Sequence, residues 1–195
     1  MTHETGKSML RRSCDSRFAT RWIAGDVIDI GAGDDSLANY QHMFPGIVSV
    51  TSWDVEQGDA MLMRGVVDNR YDCVHSSHCL EHMINPFLAF ENWVRICQPN
   101  GFLVIVVPDF AQYEQGFWPS RFNADHKWSF SISGEPQHEH HIVLLDNVLL
   151  FKGLDVIKIE QVERGYVYGE QMYDQSLSPV CEPAIEIVAR KRSRV

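Results

Sequence analysis

The stretch VIDIGAGDDSL, Val27 to Leu37, decides how the rest of the chain is read. An apolar segment runs into Gly31-Ala32-Gly33, and residues suited to opening a helix follow. Strand, glycine turn and helix N-terminus is the arrangement by which many α/β folds hold a nucleotide-like ligand. A dinucleotide turn carries a third glycine beside its pyrophosphate, whereas here Asp34 and Asp35 occupy that region. Both aspartates suit a helix cap. Two carboxylates would nevertheless repel a pyrophosphate in a crevice of effective dielectric on the order of 20. A ligand that lacks phosphate and carries positive charge removes the conflict.

Working outward, GIVSVTSWD reads as a second strand ending at Asp54, which stands 21 residues after Gly33. An acid about 20 residues beyond such a turn accepts hydrogen bonds from ribose hydroxyls. YDCVHSS, residues 71–77, resumes the strand pattern. NPFLAFENWVRIC then predicts a helix, with Asn85 as cap and Pro86 at the first position. The turn QPNG ends that helix, and FLVIVVP is a strand covered on both faces.

Upstream, SCDSRFATRWI has the pattern of an amphipathic helix, and DSLANYQHMF that of a helix opened by Asp34 or Asp35. Downstream, residues 109–137 are irregular and rich in aromatic residues and proline. IVLLDNVLLFKG reads as a helix stopped by Gly153, and LDVIKIEQVE and AIEIVARK as strands. The fold class is therefore α/β. It is expected to be a Rossmann-like, mostly parallel sheet with helices on both faces and antiparallel strands at the C-terminal end.

The 195 residues fit one domain, residues 1–195, with a helical N-terminal segment at 1–24 and an insertion at 109–141 on the acceptor side. No apolar run of about 18 residues and no secretory pattern is present, so a cytoplasmic protein without a membrane partner is expected. The five cysteines are odd in number and lack a CxxC pair, which argues for a reducing compartment and against a disulfide framework or zinc site. A formal charge of −9 argues against nucleic acid as partner. The basic run RKRSRV at the C-terminus reads as a solvated tail.

Three segments, VIDIGAGD, WDVEQGDA and YDCVHSSHCLEHMINPFLAFENWVRICQPNGFLVIVVPDF, together resemble the class I S-adenosylmethionine-dependent methyltransferases of the small type with a Leu-Glu-His motif. The resemblance covers Gly25 to about Phe110. It implies S-adenosylmethionine as cofactor, with Asp29, Gly31 and Gly33 around its methionine part and Asp54 at its ribose. By the same likeness Asp59 and Ala60 approach the adenine, Ser76, Ser77 and His78 face the cofactor, and Glu81 and His82 fix the turn before the helix. Asn100 stands where the family usually has glycine, and the short Asp54 to Asp59 interval leaves no room for the usual helix and third strand.

Methyl transfer from a sulfonium needs in-line positioning and exclusion of water, with a base where the acceptor is an alcohol. The acceptor side is expected in residues 109–141, where Tyr113, Phe117, Trp118, Phe122 and Trp128 either roof a pocket or close an ordinary core. Glu114, Asp125, His126 and His141 are the titratable groups there. His126, flanked by Asp125 and Lys127, is the preferred base and His141 the second candidate. QHEHH offers metal-ligand types, but no spacing forces convergence, so no metal is expected. The expected function is methylation of an O or N atom of a small polar molecule such as a sugar. A nicotinamide-dependent oxidoreductase and a non-catalytic partner subunit are the alternatives.

Overall fold

The computed structural model describes residues 3–148, 153–169 and 173–193. Among these residues the strands are β1 (Gly25–Ile30), β2 (Ile47–Trp53), β3 (Tyr71–Ser77), β4 (Cys97–Pro108), β5 (Ser129–Ser131), β6 (His141–Val143), β7 (Leu154–Val162) and β8 (Ala184–Lys191). The helices are α1 (Glu4–Ser13), α2 (Pro86–Ile96) and α3 (Leu144–Val148), with short 3-10 or π turns between them. One sheet has the order β2-β1-β3-β4-β8-β7, and β5 pairs with β6 in a small second one. Pairs among β1 to β4 are parallel, and β8 runs antiparallel to both β4 and β7. This is the expected Rossmann-like class. The sheet ends at β2, and residues 54–70 form turns where a fuller sheet would continue.

Each face of the sheet has its own core. Trp93 and Phe90 of α2 pack with Ile28, Ile30, Val74, Leu103 and Ile105 on one face. Met9 of α1, with Phe18, Trp22 and Leu37, packs with Val27, Cys73, Val104 and Val188 on the other. β4 is buried throughout Gly101 to Pro108, as a strand covered on both faces must be. α2 begins as its sequence predicts, since Asn85 Oδ1 accepts from Leu88 N at 3.0 Å and Pro86 holds the first turn.

Four expectations need correction. After Ser13, SCDSRFATRWI is helical only over residues 16–22, the last five as a π turn at Phe18–Trp22, and a further N-terminal helix lies ahead of these at Glu4–Ser13. Its inward face is polar, so hydrophobic periodicity does not reveal it. Residues 37–43 form a 3-10 helix capped by Ser36, whose Oγ accepts from Ala38 N, and neither Asp34 nor Asp35 is the cap. QPNG does not precede the strand. It is a bulge within β4, where Asn100 adopts a left-handed φ of 67°, a conformation asparagine tolerates. The expected helix over 142–153 is split, because His141–Val143 pairs with Ser129–Ser131 and helix begins at Leu144. Its residues 149–152 lie outside the described ones.

Ser36 also bridges Asp29 Oδ2 and Ser52 Oγ, at 3.1 and 2.6 Å. Ser36→Ala is expected to cost about 1–2 kcal/mol through loss of the cap. Urea denaturation checks this, and an unchanged midpoint would show the cap to be dispensable.

Candidate active site

The chain leaves β1 for β2 and then returns to β3 on the other side of β1, so the strand order reverses between β1 and β3. Ligands bind outside the carboxyl ends of strands at such a point. Two adjoining cavities open there. The first, of about 240 Å³, is walled by the glycine turn (Gly31 to Asp35), Ser77, His78, Glu81, His82, Tyr113, Asn123 and His126, with Glu4 and Thr5 of α1 on its far side. The second, of about 550 Å³, is lined by Asp54, Gly58, Asp59, Ala60, Cys79, Met83 and Asp125. Gly31, His78 and His82 belong to both.

Glycine is required at the head of this crevice. Gly31 has φ of 76°, and a Cβ there would lie 2.6 Å from Cys79 Cβ, so the turn packs directly on the residues after β3. Gly33 has φ of 47°, and its N–H donates to Asp54 Oδ2 at 2.9 Å, fixing the acid at the mouth of the second cavity. Asp59 Oδ1 accepts from Met61 N at 2.7 Å, and Ala60 is held by its carbonyl, which accepts from Trp93 Nε1. Burial pushes the Cys79 thiol up to about 12, so it faces the crevice as an uncharged group.

Two of the expected cofactor residues stand behind the crevice. Asp29 is buried, and its Oδ2 accepts from Leu37 N and Ser36 Oγ at 2.7 and 3.1 Å, so the carboxylate shapes the glycine turn from beneath. Ser76 is likewise buried and donates to Ile30 O. Ser77 and His78 do line the first cavity.

Asp29 Oδ1 lies 2.6 Å from His75 Nδ1, and His75 Nε2 lies 3.0 Å from an Arg12 guanidinium nitrogen. Arginine only donates, so Nε2 accepts and Nδ1–H donates to Asp29. Arg12 Nε then donates to Glu186 Oε2 at 2.6 Å. A buried polar chain thus runs from β8 through α1 and β3 to the glycine turn. No feature of composition or periodicity predicts this chain, because its members are far apart in the sequence.

The long segment after β4 closes the first cavity. Its path is fixed by Glu81 O, which accepts from Lys127 N at 2.8 Å and Trp128 N at 3.2 Å, and by Phe110 N, which donates to Phe130 O. Glu81 fixes the turn through that carbonyl. Its side chain is fully buried, faces the cavity, and neither carboxylate oxygen makes a hydrogen bond. His78 Nδ1 lies 3.4 Å from Glu81 Oε1, and His126 Nε2 lies 4.0 Å from it. Burial opposes charge on His78, but Glu81 outweighs it and raises the imidazole above its ordinary value.

His126 is buried and held by Glu114, whose Oε1 accepts from Nδ1–H at 2.7 Å. Nε2 therefore carries the lone pair on the cavity side. Of the aromatic residues named from sequence, Tyr113 reaches this cavity, with its ring 5.3 Å from that of His126. His141 is elsewhere. Its Nδ1 and Nε2 lie 2.9 Å from Ser129 Oγ and Ser131 Oγ respectively, and it lines neither cavity. Burial, followed by His138, lowers its basicity. Glu4, Thr5 and Asn123 are cavity residues that sequence reasoning missed.

These features define a Rossmann-like α/β fold with a ligand crevice at the sheet's switch point. The model of a family described as "Methyltransferase domain" matches residues 10–135, more than half of the chain, and the chain belongs to that family. The fold is shared with an S-adenosylmethionine-dependent methyltransferase of Archaeoglobus fulgidus, at 18% identity and a TM-score of 0.60, covering 97% of this chain and 95% of that one. A candidate enzyme of the same type from Listeria monocytogenes gives 13%, 0.63, 97% and 100%, and an S-adenosylmethionine-dependent methyltransferase from Mesorhizobium loti gives 14%, 0.57, 90% and 95%. Comparison with curated proteins finds no match. The chain is thus a methyltransferase by family, with the fold of S-adenosylmethionine-dependent methyltransferases. Among the described residues no helix is long and apolar enough to cross a membrane.

Proposed function

We propose that the chain moves the methyl group of S-adenosylmethionine to an O or N atom of a small polar molecule, such as a sugar or related polyol. The observation that carries this reading is His126, oriented by buried Glu114 and opposite the glycine turn across one cavity. Gly31 and Gly33 let the backbone approach the methionine part of the cofactor, Ser77 and His78 flank it, and Asp54 accepts from the ribose hydroxyls. Asp59 and Ala60 border the adenine. Asp29 and Ser76 act indirectly, by shaping the turn and strand end. The first cavity then receives the acceptor among Tyr113, Asn123, Glu81 and His126, a lining suited to a polar metabolite. In the transfer the S–CH3 bond breaks as the acceptor–CH3 bond forms, and the acceptor loses one proton. Used directly, His126 Nε2 is the lone pair that removes it.

Calorimetry with S-adenosylhomocysteine tests the donor side. Asp54→Ala is expected to weaken binding about 10- to 100-fold, the value of hydrogen bonds to a charged group. An unchanged Kd would remove Asp54 from the ribose. Labelled cofactor supplied with polar hydroxyl- and amine-bearing metabolites tests the acceptor side, and label appearing only in protein or RNA would overturn the proposed class.

A further inference from the structure

The lining of the first cavity poses a problem of charge. Glu81 and Glu114 are both fully buried, and three of their four carboxylate oxygens, Glu81 Oε1 and Oε2 and Glu114 Oε2, make no hydrogen bond. Buried carboxylates ordinarily require pairing or coordination. His78 pairs with Glu81 Oε1 at 3.4 Å and His126 lies 4.0 Å from it, ion-pair distances longer than a good hydrogen bond. The Glu81 carboxylate, held only by these long contacts, is aimed at a space that the imidazoles also face.

One ligating atom each from Glu81, His82 and His126 lie within 4.8 Å of one another. Bonds of about 2.0–2.2 Å to a common ion would place such atoms about 3–3.5 Å apart, so small side-chain rotations close the set. Both histidines are prepared in the same way. Asp125 Oδ2 lies 2.9 Å from His82 Nδ1, and Glu114 Oε1 lies 2.7 Å from His126 Nδ1. A carboxylate on Nδ1–H fixes the tautomer, turns the ring and leaves Nε2 as the donor atom, which is the usual outer support of a metal-bound histidine. The backbone reinforces the convergence, since Glu81 O ties the turn of Glu81 and His82 to Lys127 and Trp128, next to His126.

We propose that Glu81, His82 and His126 bind one divalent transition-metal ion at the wall of the acceptor cavity. Two imidazoles and one carboxylate favour zinc, cobalt, iron or manganese over magnesium and calcium, which prefer oxygen ligands. Three protein ligands leave coordination positions open, the mark of a site that takes substrate. Given the acceptor class proposed above, on which this step rests, an open position holds the acceptor hydroxyl through its oxygen. Coordination acidifies that hydroxyl and its proton passes to water at the cavity mouth. The O–CH3 bond then forms as S–CH3 breaks, giving the methyl ether and S-adenosylhomocysteine. His126 in this arrangement gives its lone pair to the ion.

The test is titration of the chelator-treated full chain with Co2+, followed by its visible absorption, and with Zn2+ by calorimetry. One equivalent is expected to bind. Glu81→Gln and His126→Ala should each weaken it by more than about 100-fold, and Asp125→Asn or Glu114→Gln about 10- to 100-fold. Circular dichroism confirms folding of each variant, and should the Glu81 variant fail to fold, the Asp125 variant, altered at an exposed side chain, still reads the site. Absence of Co2+ and Zn2+ binding overturns the proposal. Undiminished binding in Glu81→Gln and His126→Ala also overturns it, as does binding abolished instead by joint replacement of His138 and His140. S-adenosylhomocysteine calorimetry on the same samples separates the readings. Metal uptake without cofactor uptake would refute the donor reading and leave the metal site standing.

Discussion

Glu186→Ala is expected to destabilise the fold by about 3–5 kcal/mol, the cost of removing one partner from a buried charge pair. Glu186 lies on β8 with its side chain fully buried, and it receives Arg12 Nε at 2.6 Å, Arg11 guanidinium nitrogens at 2.9 and 3.0 Å, and Lys158 Nζ at 2.7 Å. Arg12 is also fully buried and reaches His75. Without Glu186 its charge would remain in the core with no carboxylate partner, beside the His75 imidazole and the Phe18 ring. For a chain of this length a loss of 1 kcal/mol lowers Tm by about 2–4 °C, so a fall of about 10 °C in a thermal melt is the expected result. The double variant Arg12→Met with Glu186→Leu should regain most of that loss, because a buried pair exchanged for apolar residues is often neutral. A single variant that melts with the parent protein would show that the pair contributes nothing.

The same group sets an acid limit. Burial opposes the charge on Glu186, but Arg12, Arg11 and Lys158 outweigh it and hold the carboxyl well below its ordinary value of 4.5. A folded-state pKa below the unfolded value means that the carboxylate's stabilisation is complete above about pH 5 and declines as pH falls through 4.5 and below. Urea midpoints measured from pH 7 to pH 3 should therefore fall more steeply for the parent protein than for Glu186→Ala. Parallel curves would remove Glu186 from the acid transition.

The legible parts of this protein are those whose signals are local. The glycines at 31 and 33, the apolar run of β4 and the Asn85-Pro86 start of α2 each carry their own physical reason within a few residues, and the structure uses each as read. The illegible parts depend on partners far along the chain. α1 turns Lys7, Ser8 and Arg12 inward because Ser176 O, Glu182 and Glu186 meet them from the C-terminal part, so its buried face has no hydrophobic stripe. Ser36 prevails over Asp34 and Asp35 as cap because Asp29 already accepts from Leu37 N, while Asp35 is engaged by Gly6 N and Tyr40 Oη. His141 looked as reactive as His126 by residue type. Only the pairing of β5 with β6 reveals that serine hydroxyls take both its nitrogens. Glu81 is legible only in half, since its carbonyl fixes the turn as the motif implies while its buried carboxylate also lines the cavity, which no local signal announces.

That contrast between the histidines yields the largest expected effect on turnover. His126→Ala should lower kcat by about 10²- to 10⁴-fold, the contribution of a positioned group that manages an acceptor's proton. The affinity for S-adenosylhomocysteine should change little, because His126 is assigned to the acceptor, while Asp54, Asp59 and Ala60, assigned to ribose and adenine, line the second cavity, which His126 does not reach. Glu114 acts through His126 as a positioning residue, its Oε1 holding Nδ1–H and hence the direction of Nε2. Glu114→Gln is accordingly expected to lower kcat about 10- to 100-fold with KM for the donor held, a split that general loosening of the fold would not produce. His141→Ala should leave kcat close to the parent value. Equal losses in the two histidine variants, or a loss confined to donor KM in His126→Ala, would show that the acceptor is not seated against His126. Single-turnover rates with saturating labelled donor distinguish these outcomes, since they report the transfer step apart from cofactor binding and product release.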